Sequence, residues 1–229
     1  MTSHSIKSIL LIFGAAGFSF NAGNVVHEFG HAIADWMSGI PLSNIHVIIH
    51  PFFSPHMNIE GGIPESMMGW PDAAGPVANV AIGLILFSIL WKKRTPLTFP
   101  LLLWGPLACV QEGIGQVMTL SDHGSDAARI IAAGFPEPLL ILVSILFILV
   151  GIFLFALIFP VSGISRDFSF FKRSGIIAAG MIPYGLLTLL ISILASSNQS
   201  DISRSYNIIG GFAISQRCVR LPILNLNRN

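Results

Sequence analysis

Apolar runs of membrane-spanning length, separated by short polar segments, leave this chain few ways to fold. A helix needs roughly 20 mostly apolar residues to cross the hydrocarbon core of a bilayer. Runs of that length extend from Ile6 to Trp36, Met68 to Trp91, Leu97 to Leu120, Pro138 to Phe159 and Gly175 to Ala195. Composition agrees: 53% of the 229 residues are hydrophobic and only 10% are charged, where a soluble domain carries about 25% charged residues. In lipid every backbone N–H and C=O must be paired within the segment, which leaves helices as the natural form of such runs. The chain therefore reads as an all-α polytopic membrane protein, integral and multi-pass, with about five transmembrane helices, or six. The first run is longer than a single crossing needs, and Asn21-Ala22-Gly23-Asn24 is a place where it could break.

From Ile40 to Met67 the chain turns polar and is punctuated by Pro41, Pro51, Pro55, Gly61, Gly62 and Pro64. Ile45, Val47 and Ile49 alternate there with His46, Ile48 and His50, a pattern that predicts a short extramembrane β-hairpin after the first helix. Residues 1–195 read as a single membrane-embedded domain and residues 196–229 as a polar, weakly ordered tail. With the amino terminus in the cytoplasm, Lys7, Lys92, Lys93, Arg94, Arg166, Lys172 and Arg173 fall inside and Arg129 lies in an outer loop, as the positive-inside rule prefers. The tail's arginines then lie outside, although terminal segments count for less in that rule. A net charge of +1 without a clustered basic face argues against nucleic-acid binding. Cys109 and Cys218 are too few and too far apart in sequence to make a disulfide framework or a thiolate metal site.

Within the first apolar run sits His27-Glu28-Phe29-Gly30-His31. Histidines four apart on a helix lie one turn above each other on the same face, so their imidazoles can converge on one metal ion. Glu28 follows the first of them and is placed to accept a proton from a bound water without being a ligand itself. Frequencies of His and Glu in this chain put a chance match at roughly half a percent. The alternative is a solvated His-Glu-His cluster on a surface helix, but the flanks Ile9-Leu10-Leu11-Ile12-Phe13 and Ala32-Ile33-Ala34 are apolar. A carboxylate at a helix centre in lipid costs about 2.5–3.5 kcal/mol on insertion scales, so such residues usually mark a site. Lys7 followed by an apolar run also fits a cleaved signal peptide, yet cleavage near Ala22 would strip the motif of its membrane context.

A catalytic zinc takes three protein ligands and keeps one position open for water. The soluble metzincin pattern would place a third histidine at position 37, where this chain has Met37. The acidic candidates are Asp126, foremost, then Asp122 and Glu112. Each also has an ordinary explanation, helix capping for the aspartates and hydrogen-bonded packing for Glu112. Asn21, Asn24 and Asp35 flank the motif at helical spacing and suit either a water inlet or interhelical hydrogen bonds. His46, His50 and His56 read as surface or interfacial residues rather than ligands.

Ala74-Gly75-Pro76-Val77-Ala78-Asn79 opens the second span, and Gly75, Asn79 and Gly83 recur every four residues, a small face that lets another helix approach closely. Together with the His27–His31 motif and Gly124-Ser125-Asp126-Ala127, this stretch resembles the site-2 protease family of intramembrane zinc metalloproteases. The likeness covers about residues 10 to 135, within a zinc-site core of about 6–135, and the additional spans over 138–195 carry none. It is similar to a small, divergent branch without an inserted PDZ module, and it departs from the usual Asp-Gly stretch, since Asp122 is followed by His123 and Asp126 by Ala127.

The resemblance implies Zn2+ held by His27, His31 and Asp126, Glu28 as the general base, and membrane-spanning proteins cut within the lipid bilayer. Two other readings belong to different classes. One is a catalytically inactive relative acting as a scaffold, against which the intact Glu28 speaks. The other is an ion or metal transporter, for which no internal repeat is visible.

Overall fold

The computed structural model describes residues 3–49, 55–62, 69–122 and 124–158, with isolated positions between 169 and 190. The first apolar run forms one helix, α1 (Ser3–Met37), unbroken through Asn21–Asn24. Its 35 residues span about 52 Å at 1.5 Å per residue. No break occurs because the polar side chains find partners without disturbing the backbone: Asn21 donates to the Gly17 carbonyl and Asn24 accepts from Gln111.

The expected hairpin is present as β1 (Ile45–Ile48) and β2 (His56–Ile59), antiparallel, with Ile45 opposite Ile59 and Val47 opposite Met57. Then follow α2 (Trp70–Leu90), α3 (Phe99–Met118), the short α4 (Asp126–Ala132) and α5 (Glu137–Ile158). Pro71 lies in the first turn of α2, where a missing N–H costs nothing, and the Asp72 carboxylate reaches back to accept from the Gly69 N–H. Ser125 caps α4 by accepting from the Ala128 N–H. Most of the expected fifth span and the whole of the tail lie outside the described residues.

Among the described residues, α1 from Ile6, α2 and α5 are long and apolar enough to cross a membrane. The run from Leu97 to Leu120 does form a helix, α3, but it is not among these three. It packs against α1, α2 and α5 and buries Glu112 and Gln116 along with its apolar residues. A helix wrapped by other helices can keep polar groups that a lipid-facing one cannot. With seven residues, α4 is too short to cross.

The bundle has a dry end and a polar end. At the dry end Ile12, Ala15 and Ala16 of α1 cluster with Phe87, Phe99 and Ile158, which places the end of α2, the start of α3 and the end of α5 together. Ile176 joins the same cluster. Midway, α2 and α3 cross backbone to backbone, since a Cβ on Gly83 would lie 2.9 Å from the Gly105 Cα. At the other end the motif of α1 meets the start of α2, the last turns of α3, and α4.

Candidate metal centre

The helical spacing of His27 and His31 brings their rings edge to face, with centroids 4.7 Å apart. The two Nε2 atoms are 3.0 Å from each other. The Asp126 Oδ2 completes the group, 3.1 Å from His27 Nε2 and 3.3 Å from His31 Nε2. Among the described residues, His27, His31 and Asp126 are the set of metal-binding side chains whose donor atoms converge.

The other ring nitrogens are occupied. His31 Nδ1 donates to the Pro71 carbonyl at 2.7 Å, and His27 Nδ1 donates to Glu112 Oε1 at 3.1 Å. Because a carbonyl and a carboxylate only accept, both Nδ1 atoms carry the proton, and in the neutral imidazoles both Nε2 atoms then present lone pairs. Two imidazole lone pairs and a carboxylate oxygen therefore face one another at close range, which calls for positive charge at their centre. The spacing suits a tetrahedral ion, whose donors at about 2.0–2.1 Å lie about 3.3 Å from one another.

The remaining acidic candidates have other places. Glu112 sits on the far nitrogen of His27, the position of a carboxylate that fixes the tautomer and orientation of a ligand. Its Oε1 also accepts from Asn79 Nδ2 at 2.6 Å, and Asn79 Oδ1 accepts from Trp104 Nε1 at 2.8 Å. Asp122 Oδ1 accepts from the Gly124 N–H and closes the turn before α4.

The small face of α2 acquires specific work in this arrangement. A Cβ on Gly75 would strike the His31 ring, so the imidazole lies directly on bare backbone. Asn79 supports Glu112, and a Cβ on Gly23, one turn before His27, would reach within 2.8 Å of Asn79 Oδ1. Sequence reasoning singled out Gly75 and Asn79 but passed over Pro71, Asp72, Trp104 and Arg129. A Trp-Pro-Asp start at residue 70, five before Gly75, and an Arg one turn after Asp126 were the available signals for three of them.

Glu28 lies in the electrostatic field of both imidazoles and of Asp126, with the Met57 backbone as a hydrogen-bonding neighbour. Its Oε2 is buried and has no partner among the described residues. The strand register explains why Met57 can serve it. Glu60 N–H donates to the Asn44 carbonyl, so hydrogen-bonded pairs alternate from there and the main-chain groups of Met57 and Ile59 turn outward from the hairpin.

Asn21 and Asn24 make the helix and interhelical hydrogen bonds described above. Asp35 is buried, near His31, Asp72 and Arg129. His46 is exposed on β1 and His56 half-buried on β2, and neither joins the metal group. His50 lies outside the described residues.

No protein-family model, curated protein or solved structure matches this chain.

Proposed function

We propose that this chain is a multi-pass intramembrane zinc metalloprotease, similar to a small divergent branch of the site-2 proteases, that hydrolyses peptide bonds in or near membrane-spanning segments. The observation that carries this reading is the convergence of His27 Nε2, His31 Nε2 and Asp126 Oδ2 within 3.0–3.3 Å, with a buried Glu28 oxygen that has no hydrogen-bond partner among the described residues. The helix that bears His27, Glu28 and His31, α1 from Ile6 onward, is long and apolar enough to cross a membrane.

His27, His31 and Asp126 would hold the zinc, which when bound makes a coordinated water acidic and polarises the scissile carbonyl. Glu28 accepts the water's proton and returns it to the leaving amine as the C–N bond breaks. The Glu112 carboxylate and the Pro71 carbonyl keep both imidazoles in the tautomer that offers Nε2. The outward edge of β2 suits an unwound substrate strand, which would add to the hairpin by main-chain hydrogen bonds next to Glu28.

Metal analysis of the detergent-purified chain with a single-span reporter substrate tests the reading. We expect about one zinc per chain, lost in His27→Ala and retained in Glu28→Gln, with cleavage abolished in both. Cleavage that persists in Glu28→Gln removes the mechanism, and wild-type protein that takes up no zinc removes the metal assignment.

A further inference from the structure

Asp126 has two carboxylate oxygens, and only Oδ2 faces the imidazoles. The other, Oδ1, accepts from Arg129 at 3.3 Å, one turn along α4. Arg129 is itself mostly buried and does not stop there: its Nε lies 2.7 Å from Asp72 Oδ1, a close charge contact whose N–H is not aligned as a hydrogen bond. Asp72 is in turn pinned, because its Oδ2 accepts from the Gly69 N–H at 2.8 Å. The neighbouring residue, Pro71, supplies the carbonyl that orients His31. One turn of α2 thus sets two donors that arrive from different helices, the ring from α1 through Pro71 and the carboxylate from α4 through Asp72 and Arg129.

We propose that the Asp72–Arg129 pair is a positioning clamp that holds Asp126 to a single metal-facing oxygen and so keeps the fourth coordination position free for water. This rests on the metal reading above, and it goes further by assigning the coordination number to two residues that are not ligands. A free carboxylate chelates through both oxygens or swings away. A guanidinium on Oδ1 opposes both outcomes, and Arg suits the task because its planar fork can engage two carboxylates at once.

Titration of the full-length, detergent-purified apo-protein with Zn2+, and with Co2+ as a spectroscopic probe, tests the clamp. For Arg129→Gln and for Asp72→Asn we expect zinc affinity to fall about 10–100-fold, the usual effect of removing an outer-shell partner. The Co2+ absorption should weaken from four-coordinate towards five-coordinate intensity, and Arg129→Lys should recover part of the affinity but not the spectrum. A residue that merely stabilises the fold would lower the Tm of apo-protein and leave the zinc-induced rise in Tm unchanged; the clamp predicts that this rise shrinks. If Arg129→Gln does not fold, Asp72→Asn and Arg129→Lys carry the test. Wild-type affinity and an unaltered Co2+ spectrum in the variants that fold overturn the clamp alone. A wild-type chain that binds neither ion overturns the metal reading and the clamp with it.

Discussion

Glu112 shows how much rests on which nitrogen a carboxylate meets. From sequence it is one acid among three in the right region, ranked behind Asp126 as a third ligand. In the structure it faces His27 Nδ1, while Asp126 faces Nε2, and under the proposed metal reading that difference separates an orienting group from a ligand. The two roles predict different losses. Glu112→Gln keeps the size of the side chain but weakens the charge-assisted hydrogen bond, so zinc affinity should fall about 10–100-fold without vanishing. Asp126→Ala should abolish stoichiometric binding, and Asp122→Ala should leave it at the wild-type level, as inductively coupled plasma analysis of dialysed protein would report. Equal loss in Glu112→Gln and Asp126→Ala would place Glu112 among the ligands.

At the scale of elements, the helices were legible because each is a local pattern. A run of about 20 apolar residues needs no partner to announce a helix, and Ile45, Val47 and Ile49 announced a strand. What each helix does with its polar residues was not legible. α3 keeps Glu112 and Gln116 because α1, α2 and α5 enclose it, a property of the bundle rather than of the segment. The hairpin carries its own prediction. Met57→Pro removes the outward N–H beside Glu28 without touching a ladder hydrogen bond, a placement that proline tolerates at a strand edge. Met57→Ala removes the same buried side chain and keeps the N–H. Reporter cleavage should drop more in the proline variant than in the alanine variant, with zinc content equal in both. Equal cleavage would show that the Met57 N–H serves neither Glu28 nor a substrate strand.

On the scale of the whole molecule, the two ends of the bundle differ in kind. Lys7 precedes the half of α1 that packs against the end of α2, and Lys92, Lys93 and Arg94 follow that end directly. Arg94 lies over the Trp91 ring at 4.4 Å, and Trp91 stacks on Phe87, an arrangement suited to the boundary between lipid and water. Arg129 belongs to the opposite end, beside His27, His31 and Asp126. If the chain is inserted as proposed, single cysteines at Ser3 and Arg94 in a Cys109→Ala, Cys218→Ala background react with an impermeant maleimide from the same side of sealed vesicles. A cysteine at Gly124 reacts from the other side. Labelling of positions 3 and 94 from opposite sides would contradict the bundle and the topology together.

Local pattern was sufficient for the helical runs, for the shared face of His27 and His31, and for the small face that begins at Gly75, because periodicity within a helix follows from backbone geometry alone. It ranked Asp126 ahead of Asp122 and Glu112 but left all three open, and it could not reveal the contacts of Arg129 and Asp72. Those assignments depend on where the chain returns after 85 to 99 residues, the separations of His27 from Glu112 and Asp126. Only the packing of α2, α3 and α4 around α1 decides which oxygen reaches which nitrogen.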